Sequence, residues 1–361
     1  MTAARVVIVG AGPAGAAAAC VLAGAGRDVV VLERETTTGH KLCGEFLGGP
    51  TLTRLAALGI DAAALGAHPI RQVRVVRDDR TALRTLPFPA AGLSRRCLDA
   101  GLRARAAALG AEIRYGVRAS EIASGAVVAD GASVPAGTVM LGTGKHDIRG
   151  VPRRVGRVPD GMLGFKMHFR LRPAAQAALT GAVELFLFRD SYVGLQLIEG
   201  GTANLCLLAD RSRLGSDWQD LVAGFTAEST VLRDRLARAL PVFDRPLTIA
   251  RVPYGFLYSD ARNDGVYRLG DQMGVIPSFA GEGLAIALHT GMAAAHCVLA
   301  GRDASAYHAA MRNALARPLG VATAIHRAGR SPIGQRAVFA AARMPFALGL
   351  MARATRVGVV E

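Results

Sequence analysis

The stretch that decides the fold is Arg5-Val6-Val7-Ile8-Val9-Gly10-Ala11-Gly12-Pro13-Ala14-Gly15, close to the N-terminus. The short apolar run before the first glycine is rich in β-branched residues, which is typical of a parallel strand covered on both faces. An alanine-rich segment, Ala16 to Ala25, predicts a helix, and Asp28 to Glu33 predicts a second strand. The sequence therefore predicts a βαβ unit whose first turn has the spacing Gly-x-Gly-x-x-Gly.

The glycine spacing of this turn suits the pyrophosphate of a dinucleotide. Gly10 permits the tight turn, Gly12 lets the backbone approach the pyrophosphate, and Gly15 lets the helix pack closely on the strand. The helix N-terminus offers free amides and a positive dipole end. Glu33 ends the second strand, where a carboxylate accepts hydrogen bonds from an adenosine ribose. The unit alone does not separate NAD from FAD. The residues predicted to bind the dinucleotide here are Gly10, Gly12, Pro13, Ala14, Gly15, Glu33 and Arg34.

A second motif runs from Tyr267 to Gly283 and precedes an apolar segment, Leu284 to Leu299, which predicts a helix. It resembles the second FAD motif of the geranylgeranyl reductase and aromatic hydroxylase superfamily of flavoproteins. The resemblance implies that Asp271 bonds the ribityl chain and that the turn Gly281 to Gly283 presents amides to the flavin pyrimidine ring. A helix N-terminus there stabilises the negative charge of the reduced flavin. The residues that the resemblance places at FAD are Gly270, Asp271, Pro277, Gly281, Glu282 and Gly283.

Two intermediate segments extend the resemblance. Leu93 to Asp99 resembles the family's Arg-x-x-Leu-Asp segment, in which Arg95 would contact FAD; the alternative is a plain surface arginine. Val139 to Gly150 occupies the place of the family's Asp-Gly motif, with Thr143 instead of the aspartate. Because that motif serves FAD and NAD(P)H in the hydroxylases, the departure argues against hydroxylase-style use of a nicotinamide. A separate NAD(P)H domain is not expected. NAD(P)H stays a candidate electron donor that binds only transiently.

The segment Gly39 to Leu47 resembles the Lys-x-Cys-Gly segment of geranylgeranyl reductases, whose cysteine lies beside the isoalloxazine and the substrate cavity. The resemblance puts Lys41 and Cys43 at the cofactor. Cys43 either tunes the flavin or positions substrate, or it is a small buried hydrophobe. Glu45 either supplies a proton or caps the helix predicted to begin near Pro50. Cys43 and Glu45 are the candidate catalytic residues.

A substrate layer is predicted from two insertions, residues 69–92 and 156–255, in which apolar residues alternate with period two. Such alternation predicts a sheet with one face open. The polar-tipped residues expected on that face are His168, Tyr192, Gln196, Tyr254 and Tyr258.

Composition excludes several other classes of protein. The formal net charge is +15, but the arginines are scattered and not interleaved with aromatic residues, so no nucleic-acid platform is predicted. Five widely separated cysteines form no CxxC pair and predict neither a disulfide framework nor a zinc site. A strand beginning at Val6 leaves no room for a signal peptide, which predicts a cytoplasmic protein.

The C-terminal segment 337–360 is apolar but is interrupted by Arg343, Pro345 and Arg353, so it is not expected to span a membrane. Its mixture of Phe339, Phe346, Leu348, Leu350 and Met351 with arginines leaves two alternatives. One is a helix packed on the body of the protein, which we favour. The other is peripheral contact with a membrane surface.

These observations predict an α/β protein with a Rossmann-type, glutathione reductase-like parallel FAD sheet, an inserted β-rich substrate domain and a helical C-terminal tail. The expected ranges are 1–68, 93–155 and 256–300 for the FAD domain, 69–92 and 156–255 for the substrate domain, and 301–361 for the tail. The expected function is hydride transfer between flavin N5 and a hydrophobic or aromatic small molecule, with C=C reduction or dehydrogenation as the first guess. The alternatives are an NAD(P)H-dependent flavin monooxygenase and a membrane-associated electron carrier whose donor or acceptor is unknown.

Overall fold

The computed structural model describes residues 5–123, 125–156, 162–259, 264–344 and 346–358, with the side chains of residues 347 and 348 left aside. Of the predicted ranges, residues 1–4, 124, 157–161, 260–263, 345 and 359–361 lie outside the described residues. Pro345 and the end of the segment 337–360 are among them.

The strands are β1 (Val6–Val9), β2 (Val29–Glu33), β3 (Phe46–Leu47), β4 (His68–Arg77), β5 (Arg80–Gly92), β6 (Glu112–Tyr115), β7 (Ala119–Ala123), β8 (Ala126–Ala129), β9 (Ala132–Pro135), β10 (Thr138–Leu141), β11 (Met162–Arg170), β12 (Ala182–Phe188), β13 (Ser191–Leu197), β14 (Ala203–Asp210), β15 (Leu240–Pro241), β16 (Leu247–Ala250) and β17 (Val266–Arg268). The helices are α1 (Pro13–Gly24), α2 (Gly49–Ala57), α3 (Arg95–Ala108), α4 (Pro173–Leu179), α5 (Trp218–Glu228), α6 (Thr230–Leu236), α7 (Gly283–Leu299), α8 (Ala304–Gly329), α9 (Pro332–Arg343) and α10 (Ala347–Thr355).

The first sheet is parallel and has the order β17-β10-β1-β2-β6. Alternate residues of β1 enter two different cores, because successive side chains point to opposite faces. Val6 and Ile8 pack against the helices α1, α3 and α7, whereas Val7 and Val9 pack against the small sheet β7-β8-β9. Both faces are therefore covered, and the carboxyl ends of β1, β2, β10 and β17 meet at one edge.

The second sheet is mixed, with the order β15-β11-β14-β13-β12-β4-β5-β3, and β16 also pairs with β11. Its strands run antiparallel except where β12 pairs with β4. On one face, alternate residues such as Phe165, Leu195 and Leu205 form a core with Leu221 and Phe225 of α5. The other face turns toward the carboxyl edge of the first sheet and lines a cleft.

The C-terminal helices pack on both sheets. Helix α8 lies against α7, and α9 and α10 lie against α8. Phe339 and Ala342 of α9 are buried against Val75 and Ala82 of the second sheet. No helix in the described part of the chain is both long and apolar enough to cross a membrane. The predicted fold class, a parallel Rossmann-type sheet with a β-rich insertion and a helical tail, is confirmed.

Candidate functional site

A cleft of about 920 Å³ begins at the glycine turn of β1 and continues beneath the second sheet. Gly12, Glu33 and Arg34 lie at its first end, and Val183, Leu185 and Tyr192 lie at its far end. Ligand pockets in proteins usually range from about 300 to 1,000 Å³. A single cleft therefore connects the predicted dinucleotide site with the predicted substrate sheet.

The glycine turn leaves space where a pyrophosphate would lie. Gly10 has a φ of +97°, and a Cβ on it would stand 2.6 Å from the carbonyl oxygen of Gly142. A Cβ on Gly15 would stand 2.0 Å from the Gly10 oxygen, so the turn itself requires these two glycines. Around Gly12, by contrast, the nearest atom to such a Cβ is 3.8 Å away. Because α1 begins there with Pro13 and has no side-chain cap, its free amides fit a phosphate.

Glu33 is buried at the end of β2 and is already hydrogen-bonded by the protein. Its Oε2 accepts from the Ala11 amide at 2.8 Å and from Arg103 at 3.1 Å, and its Oε1 accepts from the Glu35 amide at 3.0 Å. Oε1 can accept a further hydrogen bond, as from a ribose hydroxyl. The contact with an adenosine ribose stays a prediction. The sequence alone does not predict a role for Arg103. Its position on α3, eight residues after Arg95, places the two arginines on the same side of the helix.

Arg95 lies beside the glycine turn, at the start of α3. Its Nη2 is the nearest atom to the Cβ position of Gly12, and it forms two 2.8 Å hydrogen bonds with Asp99. This bidentate pair holds the guanidinium in place at the cleft. Arg95 is therefore mostly buried and not a plain surface residue.

The second predicted motif lies next to the loop that replaces the Asp-Gly motif. Asp271 pairs with Lys145 at 2.7 Å, and Gln272 donates to the backbone oxygens of Gly144 and His146. Gly270, Asp271, Gly281 and Gly283 line the cleft, and α7 begins at Gly283 without a side-chain cap. These features fit the placing of a flavin that the resemblance implies.

Two residues of this motif keep their side chains out of the cleft. Pro277 is not among the residues that line the cleft. Glu282 is buried, and its carboxylate points to the Val357 amide at 3.5 Å and away from the cleft. A contact between Glu282 and FAD would therefore come from the backbone of the turn, as the resemblance implies, and it stays a prediction.

Glu45 is clamped by side chains of the second sheet. Its Oε1 accepts from the Arg95 amide at 2.7 Å and pairs with Lys166, and its Oε2 contacts His168 Nε2 at 2.7 Å. All three of Glu45, Lys166 and His168 are almost fully buried. Neither Glu45 nor any other side chain caps α2, whose N-cap is Gly48.

The same strands hold the backbone on either side of Glu45. Three side chains donate to backbone carbonyl oxygens of this segment. Gln196 donates to that of Glu45 at 2.8 Å, Asn204 to that of Gly44 at 2.8 Å, and Lys166 to that of Lys41 at 2.9 Å. The segment Lys41 to Glu45, with Cys43 half-buried in the cleft wall, is therefore fixed to the second sheet.

The partners of Glu45 also set its charge state. Burial alone would raise the pKa of the carboxyl, but the hydrogen bond from His168 and the charge of Lys166 outweigh it, so that the pKa is lowered. An ionised carboxylate with all these partners is a poor proton donor. These contacts fix the position of Glu45, and its predicted role as a catalytic residue stays a prediction.

The predicted substrate residues fall into three groups. His168 and Gln196 use their polar atoms on Glu45. Tyr192 and Tyr254 line the cleft. Tyr258 was placed wrongly, since it is buried in the core of the first domain, against His308 and under the Arg268 guanidinium.

Tyr192 and Tyr254 bring two phenols to one part of the cleft. The Tyr254 hydroxyl lies 2.6 Å from the Ser278 Oγ. The Tyr192 hydroxyl is buried beside the Ser278 side chain and the Phe279 amide, and none of the described residues meets it with good hydrogen-bond geometry. Burial raises the pKa of Tyr192 well above its ordinary value, so the phenol keeps its proton. A buried O–H without a well-formed hydrogen bond can donate one to a ligand in the cleft.

Residues 3–149 match the family described as FAD binding domain. This part of the chain is an FAD-binding domain, in agreement with the superfamily that the two motifs indicated. A stretch of 126 residues is 35% identical to a menaquinone reductase of Mycolicibacterium smegmatis and covers 34% of this chain and 31% of that protein. A stretch of 57 residues is 49% identical to a menaquinone reductase of Mycobacterium tuberculosis and covers 16% of this chain and 14% of that one. The match thus spans less than a third of the length of each relative.

Solved flavoproteins share the whole fold. The flavin-dependent brominase Bmp2 is 19% identical with a TM-score of 0.78, over 97% of this chain and 94% of that one. A flavoprotein/dehydrogenase from Cytophaga hutchinsonii is 17% identical with a TM-score of 0.79, over 97% and 92%. The halogenase PltM, solved with phloroglucinol and FAD, is 14% identical with a TM-score of 0.72, over 97% and 83%. At identities of 14–19%, these matches show that this chain and the three solved proteins share a fold. The prediction of FAD as cofactor is confirmed by the FAD binding domain that residues 3–149 match, and the match agrees with the predicted superfamily.

Proposed function

We propose that this flavoprotein is an oxidoreductase that exchanges hydride with a hydrophobic or aromatic small molecule, and that the reaction to test first is C=C reduction. The observation that carries the proposal is the continuity of the cleft. It joins the glycine turn at Gly12 to the apolar face of the second sheet without a break. A ligand on that face would lie next to a flavin whose dinucleotide is held at α1.

The far part of the cleft has the chemistry of a lipophilic ligand site. Val73, Val75, Val183, Leu185 and Leu187 of β4 and β12 form one wall. The facing wall comes from the C-terminal helices, through Ile325, Val338, Ala342 and Met351. Apolar walls with a few polar groups are typical of small-molecule sites.

The menaquinone reductases suggest the chemical class of substrate. Menaquinone is a naphthoquinone with an isoprenoid tail, so it contains both an aromatic ring system and C=C bonds. A molecule of this class fits an apolar cleft with a phenol at one side. The 126-residue match to a menaquinone reductase supports menaquinone as the first substrate to test.

The residues of this chain have distinct roles in the proposed reaction. When bound, FAD supplies a site at N5 that exchanges hydride with a substrate carbon. The Glu45 clamp holds Cys43 and its neighbours along the cleft wall. Adding hydride to one carbon of a C=C bond leaves an electron pair on the other, which takes a proton. The Tyr192 hydroxyl, which keeps its proton and belongs to a residue of the cleft wall, supplies that proton in our proposal.

The test is anaerobic turnover of the purified, FAD-loaded protein with menaquinone, using NADPH, NADH or dithionite as reductant. The expected result is reoxidation of the reduced flavin by substrate and a product that remains two hydrogens heavier after its ring is reoxidised in air to the quinone. That treatment removes the two hydrogens of a quinol and keeps those of a reduced C=C bond. A product that gains an oxygen atom after oxygen is admitted, with NAD(P)H consumption stimulated by substrate, would overturn the proposal in favour of a monooxygenase. Failure of every small acceptor, combined with reoxidation by another redox protein, would favour an electron carrier.

A further inference from the structure

Four large apolar side chains are exposed within a short stretch of the C-terminal helices. Ile333 is 78% exposed, Met344 59%, Phe346 81% and Leu350 65%. We call these four residues the C-terminal apolar face. They come from the start of α9, the α9–α10 connection and α10. Clusters of exposed apolar residues on one face mark an interaction surface.

The same stretch is strongly basic. From residue 304 to residue 360 the sequence contains eight arginines and no aspartate or glutamate. Arg336, Arg343 and Arg353 are exposed and lie in sequence among the apolar residues of the face. Apolar side chains with arginines beside them are what an interfacial helix presents to anionic lipid headgroups.

The sides of α9 and α10 that lie opposite the exposed apolar residues pack into the protein interior. Phe339 and Ala342 of α9 pack on the second sheet, and Val338 of α9 and Met351 of α10 line the cleft. The C-terminal apolar face is therefore the outer side of the wall that encloses the far part of the cleft. Helices α9 and α10 are anchored, and their exposed apolar residues are not used by the fold.

We propose that the C-terminal apolar face binds the surface of an anionic lipid bilayer. The like charge of Arg336, Arg343 and Arg353 argues against a second copy of this chain as the occupant, because two such surfaces would repel each other. Phe346 and Leu350 insert at the headgroup boundary, and Arg336, Arg343 and Arg353 pair with lipid phosphates. This inference does not depend on which reaction the flavin performs.

The experiment is flotation of the full-length, FAD-loaded protein with two kinds of vesicle. One contains phosphatidylcholine alone, and the other contains equal amounts of phosphatidylcholine and phosphatidylglycerol. Binding to the anionic vesicles is expected, and it should weaken as salt is added. The double variant Phe346→Ser, Leu350→Ser should lower the partition coefficient by about tenfold or more per residue. Arg343→Gln and Arg353→Gln should each lower it by about fivefold.

Matched controls come from exposed residues elsewhere. Leu240, which is 64% exposed, is changed to Ser, and the exposed Arg233 is changed to Gln. Neither change should alter flotation, and all variants should keep their flavin. The inference is overturned if the wild-type protein does not float with anionic vesicles or if the Phe346 and Leu350 variant floats like the controls. A dimer in sedimentation that this variant alone dissociates, without vesicle binding, would assign the face to a second copy instead.

Discussion

The Glu45 carboxylate and the His168 imidazole lie 2.7 Å apart although 123 positions separate them in the chain. This contact joins the segment that follows β2 to strand β11 of the second sheet. Glu45 also has a φ of +56°, in the left-handed region that non-glycine residues seldom adopt. Such a conformation persists only where surrounding contacts fix it. Here the Arg95 amide, Lys166, His168 and Gln196 provide those contacts.

Replacing Glu45 with Gln should destabilise the protein and disturb the flavin. The amide cannot balance the charge of the buried Lys166, and breaking a buried ion pair costs about 3–5 kcal/mol. We expect the free energy of unfolding to fall by that amount in denaturant titrations. The absorption band of any flavin retained should shift, because Cys43 and its neighbours are loosened. Glu112→Gln, at an exposed ion pair, should change stability by less than about 0.5 kcal/mol. A Glu45→Gln protein as stable as wild type would contradict this account of the clamp.

Replacing Gly12 with Val should give a folded protein without colour. A Cβ at this position meets only Arg95 Nη2, at 3.8 Å, so the chain itself tolerates a side chain there. The valine would occupy the space into which the pyrophosphate fits. Flavin content measured by absorbance after purification should fall to near zero, while circular dichroism stays unchanged. Gly224→Ala on α5, where no atom lies within 4 Å, is the control and should keep its flavin. Full flavin content in the Gly12 variant would disprove the placing of the dinucleotide.

The sequence predicts most of the first domain because its signals are local. The apolar run and the glycine spacing each depend on residues a few positions apart, and β1, α1 and β2 appear within a few residues of their predicted bounds. Arg95 at the start of α3 was found in the same way, from its motif. Such signals do not need knowledge of how distant segments pack.

The roles of the polar residues depend on packing between distant strands. Glu45 carries no sign in its own neighbourhood that Lys166, His168, Gln196 and Asn204 surround its segment. The period-two pattern predicts His168 and Gln196 on the open face of the second sheet, but it could not show that their polar atoms bind Glu45. Tyr258 was misplaced because it follows the last strand of the second sheet and returns to the first core.

Replacing Tyr192 with Phe should slow turnover without loss of flavin. The change removes one buried hydroxyl, which has no well-formed hydrogen bond among the described residues, and leaves the ring. If the hydroxyl gives the proton, kcat should fall by at least about a hundredfold, in the range usual for general acids. Flavin content and its rate of reduction by dithionite should not change. Tyr115→Phe, at a 45% exposed tyrosine, is the control. Unchanged kcat in Tyr192→Phe would exclude Tyr192 as the proton donor.

Replacing Gly194 with Leu should block the substrate end of the cleft and leave flavin binding unchanged. Gly194 lines the cleft from β13, and a Cβ on it would make only an ordinary contact, 3.5 Å from the Cys206 oxygen. The rest of a leucine would project into the space proposed for substrate. We expect normal flavin content but loss of substrate-dependent flavin reoxidation in stopped-flow traces. Gly194→Ala should have a much smaller effect. Loss of flavin in Gly194→Leu would instead mean that the isoalloxazine reaches this strand.

Glu282 gives the stability of the protein a dependence on pH that a single substitution should remove. The carboxyl is 5% exposed behind the flavin turn, and burial raises its pKa to about 7, although the Val357 amide, Arg356 and Arg54 act in the opposite direction. A raised pKa in the folded state means that folding favours the protonated form. The stability from this group is therefore fully present below about pH 4.5, its ordinary value, and is lost as pH rises through about 7.

Glu282→Gln replaces the carboxyl with a neutral group of the same shape. Above pH 7 the variant should exceed the wild type in free energy of unfolding by up to about 3 kcal/mol, and near pH 4.5 the two should be equal. Urea titrations across this range measure the difference. Glu112→Gln should show a small effect of opposite sign, since the hydrogen bond from Arg114 lowers the pKa of Glu112. A Glu282→Gln protein that is less stable than wild type above pH 7 would mean that the ionised carboxylate holds the C-terminal tail through Arg54 and Arg356.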